Sequence, residues 1–386
     1  MPYKKKPRPF LVLHVLEFLV SVGIAFPTYV LSSYLSGFVK ESSIGAFYAL
    51  GAVLTFVALA LAPRMFRASG TLPVAVVAAF LILLSLFEFA FPVSVWSVLA
   101  AYLSYSVSVG LLFLAIDLFY ESRSANRETG AVRGAVFALS NLAFFAVPLA
   151  LSFLLTDGNY SVAFVAGMGV MALSTGVLLS LRGYRDRRHV RTSLRKAVGH
   201  VFRKKELAMT FLVGFLLKFS SALIMIYVPI YLHNYLGFVW TDIGRILAFM
   251  LVPSMLLNVP LGKLSDSLFG EKEFITIGFT ILGLATASLT FLDGRPIVWA
   301  AVLFVLRSGA GMIEVMVDTH FFKRISAADA DVMSLFRNSN QVAYLAVAAI
   351  SSGLLFLFPM RSLFLVLGML ILVIGVPAAL SIRDTR

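Results

Sequence analysis

The sequence Gly37-Phe38-Val39, followed by Ile44-Gly45, returns later in the chain as Gly237-Phe238-Val239, followed by Ile243-Gly244. Each copy lies between two long apolar stretches, and the copies are about 200 residues apart. A membrane protein whose second half echoes its first is typically built as two similar helix bundles around a central site, the plan of many transporters. The repeat therefore predicts two bundles of equal size.

Composition indicates a protein that crosses the membrane many times. Of the 386 residues, 60% are hydrophobic and only 13% are charged, and the mean hydropathy is +0.94. A soluble domain cannot bury so much apolar surface. Hydropathy predicts an all-α polytopic protein with twelve spans in two six-helix bundles related by pseudo-two-fold symmetry. The spans are 10–34, 43–62, 72–90, 92–118, 132–155, 160–181, 207–233, 241–261, 274–291, 296–320, 331–357 and 361–381.

The net charge of +13 is best explained by membrane topology, because the basic residues are concentrated in the connections on one side of the membrane. The N-terminus, the connections after even-numbered spans with Arg133 at the start of span 5, and the C-terminus carry 25 of the 32 Lys and Arg residues. The opposite side carries three: Lys40, Arg295 and, at the start of span 12, Arg361. Basic residues accumulate on the cytoplasmic side of membrane proteins. We therefore expect both termini in the cytoplasm, in a plasma (inner) membrane, and no nucleic-acid partner.

Connection lengths divide the chain into three parts. Residues 1–181 form the predicted N-terminal bundle, 182–206 a basic cytoplasmic linker, and 207–386 the C-terminal bundle. Within the linker, residues 190–203 place apolar and basic side chains on opposite faces of a helix, which favours binding to anionic lipid headgroups. A solvated tether is the alternative. Six spans per half is an even number, so the halves are parallel repeats.

One connection resembles a known family signature. Gly262-Lys263-Leu264-Ser265-Asp266-Ser267-Leu268-Phe269-Gly270-Glu271-Lys272 is similar to the cytoplasmic motif of the major facilitator superfamily, Gly-x-Leu-x-Asp-Arg-x-Gly-Arg-Lys. Ser267 departs where Arg is usual, and the first-half copy, Pro63-Arg64-Met65-Phe66-Arg67, lacks the Asp. The stretch Arg133 to Asn141, with Pro148 beyond it, also resembles the fifth helix of that family.

The resemblance implies a cytoplasmic gate. Glycines of the motif permit a tight turn beside packed helices, and Asp266 forms a charge-assisted latch with a helix N-terminus or an Arg. The residues predicted to form the gate are Gly262, Asp266, Gly270, Arg337, Asp318, Asp117 and Arg133. The resemblance also implies that spans 1, 4, 7 and 10 line a central cavity.

Two cations lie near the predicted bilayer midplane, Lys218 in span 7 and Arg307 in span 10. Ionisable groups at that depth are costly and usually line a cavity or form a pair. Two unpaired cations would favour an anionic or zwitterionic solute. The predicted substrate-binding residues are Lys218, Arg307, Tyr227, Gln341 and Asn141.

The candidates for proton coupling are Glu17, Glu314 and His14. A buried carboxyl group can exchange its proton near neutral pH. Arg307 and Glu314 are seven residues apart and so share one helix face. Structural alternatives stay open: a Glu314–Arg337 ion pair, an Asp117–Arg133 pair, a Glu17 side chain that reaches the interface, a packed His14, and tyrosines that only fill space.

The motif content favours transport over other functions. No nucleotide-binding loop, hydrolase motif or metal-ligand spacing occurs in the sequence, so we predict no enzymatic activity and no cofactor. The absence of cysteine removes disulfides and thiolate sites. The leading prediction is a monomeric, proton-coupled secondary active transporter of a small organic solute that works by alternating access. A proton-driven exporter of amphipathic or cationic compounds and a non-transporting receptor or scaffold are the alternatives.

Overall fold

The structure, a computed structural model, describes residues 8–123, 129–155, 159–181, 199, 201, 203–267, 270–324 and 330–382. The predicted lipid-binding helix at 190–203 therefore lies outside the described residues, apart from positions 199, 201 and 203.

Twelve long helices follow one another along the described chain, as predicted. They are α1 (Arg8–Ser36), α2 (Glu41–Ser69), α3 (Thr71–Ala90), α4 (Val95–Arg123), α5 (Thr129–Leu154), α6 (Ser161–Leu179), α7 (Lys205–Ile230), α8 (Trp240–Ser267), α9 (Glu271–Ser288), α10 (Pro296–Arg324), α11 (Ala330–Leu357) and α12 (Met360–Leu380). A π-helical turn, Tyr231–Tyr235, extends α7, and a 3₁₀ turn, Leu289–Phe291, extends α9.

Helices satisfy their own backbone groups, which is why such apolar segments fold this way in lipid. Among the described residues, ten helices contain a stretch long and apolar enough to span a membrane. The other two long helices are α5, whose described part contains a shorter apolar stretch, Ala138–Leu154, and α8, Trp240–Ser267. The prediction of an all-α polytopic membrane protein is confirmed.

Contacts group the chain into two compact units. Unit 1 comprises residues 1–34 and 50–190, and unit 2 comprises 35–49 and 191–386. Helix α2 thus begins in unit 2 and continues in unit 1.

In unit 1, α3 packs against α4 and α6. Helices α1 and α6 approach closely where Gly23 faces Gly167; a Cβ on Gly167 would lie 3.1 Å from the Gly23 carbonyl oxygen. An edge-to-face contact between Tyr34 and Phe164, with ring centroids 4.8 Å apart, fills the interior towards the end of α1. These contacts hold α1, which carries Glu17, against its neighbours.

In unit 2, α9 packs on α10 and α12, and α7 packs on α10 and α11. The α9–α10 contact is made by two facing glycines, because a Cβ on either Gly278 or Gly309 would lie 2.8 Å from the carbonyl oxygen of the other. Small residues at such crossings let helix backbones approach in membranes. Helix α10 is thereby fixed between α9 and α7, and it carries Arg307 and Glu314.

The sequence predicted a glycine turn directly after span 8, at Gly262, and this position is wrong because the chain is still helical there. Helix α8 continues to Ser267, so Gly262 and Asp266 lie in its last turns. Gly270 immediately precedes α9 with φ −73° and ψ 167°, a conformation open to any residue. The helical bonding of α8 therefore persists through most of the motif.

Candidate functional site

A buried carboxylate lies in unit 1. The Glu17 side chain is 3% exposed on α1. Ser140 of α5 donates a hydrogen bond to Glu17 Oε1 at 2.7 Å, and Ser21, one turn further along α1, approaches the same oxygen at 3.4 Å. The two serine hydroxyls are 3.2 Å apart. Within the described part of the chain, Glu17 has hydroxyl partners and forms no ion pair, so nothing there compensates a negative charge.

His14 lies on α1 near Glu17. Its Nδ1 is 2.9 Å from the hydroxyl of Tyr120 on α4, and the two rings are tilted with centroids 5.5 Å apart. Asp117, one turn before Tyr120, is half-buried and lies close enough to interact electrostatically with Glu17 and Tyr120. Glu17, Asp117, His14 and Tyr120 therefore form one polar cluster between α1 and α4.

A second charged group lies in unit 2. Arg307 Nη2 and Glu314 Oε2, two turns apart on α10, form an ion pair at 3.3 Å with side-chain exposures of 17% and 24%. Arg307 Nε donates to the buried Ser254 hydroxyl of α8 at 2.6 Å. The shared helix face predicted for Arg307 and Glu314 is confirmed. The expectation that Arg307 is unpaired is wrong, because Glu314 neutralises it.

Lys218 on α7 is directed towards α11. Its Nζ donates to the Phe336 carbonyl oxygen and to the Ser339 hydroxyl, both at 2.7 Å, and lies 4.6 Å from the Phe336 ring centroid. Carbonyl, hydroxyl and ring contacts together hold the ammonium group in place. Lys218 therefore ties α7 to α11, in addition to any role towards a solute.

The remaining predicted substrate-binding residues have different environments. Tyr227 on α7 is 1% exposed. Gln341 on α11 and Asn141 on α5 are half-buried. Asn141 is adjacent in sequence to Ser140, the Glu17 partner, and Gln341 belongs to unit 2 with Lys218.

The predicted gate residues are described only in part. Asp318, one turn beyond Glu314 on α10, is exposed. The side chains of Arg133, Asp266 and Arg337 lie outside the described residues, so the proposed pairs Asp117–Arg133 and Glu314–Arg337 stay predictions.

Sequence reasoning missed the hydroxyl partners of the charged groups. Ser21 could have been found, because it is four residues from Glu17 on one helix. Ser140 and Ser254 are 123 and 53 residues from their partners, and no periodicity within one helix relates them. The pair of Thr210 on α7 and the fully buried His320 on α10, with Oγ1 and Nδ1 2.8 Å apart, was missed for the same reason.

Metal ligands do not cluster in the described residues, where no group of three or more His, Asp or Glu side chains is arranged to hold an ion. The side chains described above supply carboxylates, hydroxyls, imidazoles, the Arg307 guanidinium and the Lys218 ammonium group.

Comparison with known proteins gives a family match. The sequence model described as the Major Facilitator Superfamily matches residues 122–330, more than half of the chain. Among curated proteins, no sequence matches significantly.

Solved structures share the fold over nearly the whole chain. The nucleoside transporter NupG has a TM-score of 0.76 at 16% identity, covering 97% of this chain and 100% of that one. The POT family transporter PepTSo has a TM-score of 0.77 at 13% identity, with 97% and 98% covered. A POT family transporter in complex with a thioalcohol-conjugated peptide has a TM-score of 0.78 at 14% identity, with 97% and 96% covered. Identities this low show the fold alone.

Proposed function

Since this chain belongs to the Major Facilitator Superfamily, we propose that it is a secondary active transporter that couples movement of a small organic anion or zwitterion to protons by alternating access. The observation that carries the proposal is the Arg307–Glu314 pair with Ser254. Arg307 is eleven residues into α10, about 17 Å from its start and so near the middle of a bilayer.

The Arg307–Glu314 pair links the binding of a proton, at Glu314, to the binding of an anion, at Arg307. The described contacts of Arg307 use two of the five guanidinium N–H groups, which leaves donors that can bind a carboxylate or phosphate. When Glu314 takes a proton it loses its attraction for Arg307, and a solute anion replaces it. Proton and anion then bind together, which couples their movement.

Uptake into proteoliposomes tests this proposal. A labelled panel of organic anions, zwitterions and cations is offered with and without an inward proton gradient. Replacing Arg307 by Ala removes charge-assisted hydrogen bonds, so we expect KM for anions to rise about 10- to 100-fold. Arg245→Ala, at an exposed position on α8, is the matched control and retains wild-type KM. Wild-type activity in both Arg307→Ala and Lys218→Ala would remove the anion site.

Export of cationic or amphipathic compounds in exchange for protons is a second candidate. It is favoured by Glu17, a buried carboxylate whose described partners are hydroxyls. Such a group can bind either a proton or a cation, which is the requirement for exchange. Proton flux evoked by each panel member separates the candidates, because flux evoked only by cations favours the exporter and excludes the anion proposal.

A further inference from the structure

Three hydroxyl groups in unit 2 are buried without hydrogen-bond partners in the described part of the chain. They belong to Tyr227 on α7 and to Ser351 and Ser352 on α11. Tyr227 is 1% exposed and Ser351 is fully buried. Ser351 lies close enough to influence the Tyr227 hydroxyl, yet the two oxygens do not meet hydrogen-bond geometry.

The first turn of α2 lies directly over these hydroxyls. Residues 35–49, here named the cover segment, belong to unit 2 and include Gly45. A Cβ at Gly45 would overlap Ser352 Oγ and would lie 2.7 Å from the Ala348 carbonyl oxygen and 2.9 Å from the Tyr227 hydroxyl. Only glycine permits so close an approach.

A hydrogen bond also attaches the other end of the cover segment to unit 2. Asn234 Nδ2, in the π-helical turn that follows α7, donates to Ser36 Oγ at 3.0 Å. The cover segment is therefore held at Ser36 by a polar contact and at Gly45 by close backbone packing over unpaired hydroxyls.

Stability alone does not account for the three hydroxyls. A buried hydroxyl without a partner loses its bonds to water and gains none, so Phe or Ala of matching shape would be at least as stable there. A buried polar group without a protein partner marks a place where a water, an ion or a ligand can supply the missing hydrogen bond. In a transporter the solute is such a ligand.

We propose that Tyr227, Ser351 and Ser352 form a hydrogen-bonding subsite for the uncharged polar part of the solute, which the cover segment closes in this conformation and opens when it separates. Hydroxyls both donate and accept, so the subsite takes a hydroxyl, amide or carbonyl group irrespective of charge. The inference rests on the proposed transport function and extends it to solutes that carry such groups besides a charge.

Cysteine labelling tests the cover. The chain has no cysteine, so Ser351→Cys introduces a single thiol. In proteoliposomes treated with a membrane-impermeant maleimide, adding Gly45→Ala should raise the labelling rate of this thiol about fivefold or more, because the new methyl group on the cover segment would clash with Ser352 and Ala348 of α11 and destabilise the closed arrangement. The matched control is Gly353→Ala on α11, where a Cβ meets nothing within 4 Å. An unchanged rate in Gly45→Ala would overturn the covering role.

Solute selectivity tests the subsite. Each of Tyr227→Phe, Ser351→Ala and Ser352→Ala is assayed with lactate and propionate, which have equal charge and differ by one hydroxyl, and with the longer pair gluconate and hexanoate. We expect KM for the hydroxylated member to rise about fivefold or more, KM for the other to stay constant, and thermal stability to be retained or increased. Lower stability with unchanged selectivity would mean that the hydroxyls are structural and would overturn the subsite. Lack of all transport by the wild type would instead contradict the proposed function, while the labelling rates still decide the cover.

Discussion

Glu17 and Arg307 are ionisable side chains within apolar helices, and they differ in the kind of partner that each one has. Arg307 has an opposite charge on its own helix, Glu314, and a hydroxyl from α8. Glu17 has hydroxyls from α1 and α5. An ion pair offsets the cost of placing a permanently charged guanidinium in a medium of low polarity, whereas hydroxyl contacts suit a carboxyl group that alternates between protonated and ionised forms.

The exporter candidate assigns the exchanged proton to Glu17, whereas the anion mechanism assigns it to Glu314, so replacing Glu17 by Gln should greatly reduce proton-driven accumulation of cations only if the protein is the exporter. The amide keeps the shape and the serine contacts but cannot release a proton. For the exporter we expect accumulation driven by a proton gradient to fall about tenfold or more, while exchange of labelled for unlabelled solute across the membrane continues. Proteoliposome uptake and counterflow assays measure the two quantities.

The matched control for that experiment is Glu88→Gln. Glu88 lies at the end of α3 and accepts a hydrogen bond from the Val93 backbone N–H at 3.0 Å in the following turn. Accumulation should be unaffected by this change. Normal gradient-driven accumulation in Glu17→Gln would show that Glu17 does not carry the proton.

The sequence was sufficient for groups that lie on one helix and insufficient for groups that meet between helices. The seven-residue spacing from Arg307 to Glu314 predicted a shared face, and the ion pair follows from it. Lys218 was predicted from its depth alone, and its contact with the Phe336 carbonyl depends on the rotation of α11 against α7. Contacts of that kind depend on helix rotation and register, which hydropathy does not encode.

At the scale of elements, the α9–α10 crossing depends on the absence of two side chains. Gly278 and Gly309 face each other, and the neighbours of a Cβ at Gly309 include the Gly278 carbonyl oxygen at 2.8 Å and the Leu282 amide nitrogen at 3.0 Å. Backbone atoms cannot rotate away as side chains do. The position of α10, and with it that of Arg307, therefore depends on this crossing.

Replacing Gly309 by Ala should destabilise unit 2 in spite of the higher helix propensity of Ala. Overpacking of a close contact costs about 1–3 kcal/mol. We expect a lower midpoint of thermal unfolding in detergent, measured by intrinsic fluorescence. Gly353→Ala on α11, where a Cβ meets nothing within 4 Å, should leave the midpoint unchanged or raise it. Equal midpoints for the two variants would contradict the packing argument.

Helix number and order followed from hydropathy, whereas some helix ends did not. Span 8 was expected to end at residue 261, and α8 continues to Ser267. Its last turns are polar, so hydropathy falls before the helix ends. A helix that extends beyond the hydrocarbon region keeps its hydrogen bonds in water, and only the apolar part is visible to a hydropathy window.

At the scale of the whole molecule, the one-sided distribution of basic residues predicts which connections face the cytoplasm. Single cysteines test it in the cysteine-free chain. Gly199→Cys in the linker and Gly294→Cys between α9 and α10 lie where a side chain meets nothing within 4 Å. In intact cells an impermeant maleimide should label Gly294→Cys and spare Gly199→Cys, and inside-out vesicles should give the reverse. The opposite pattern would invert the topology.

Helix α2 is one continuous helix of 29 residues, yet its first turns belong to unit 2 and its remainder, from Leu50 onward, to unit 1. Separation of residues 35–49 from α7 and α11 must therefore strain or pivot a single rod of hydrogen-bonded backbone. Gly51 lies just past the boundary, where a Cβ would come within 3.0 Å of the Tyr102 hydroxyl on α4. The missing side chain at position 51 therefore lets the remainder of the rod pack closely against α4.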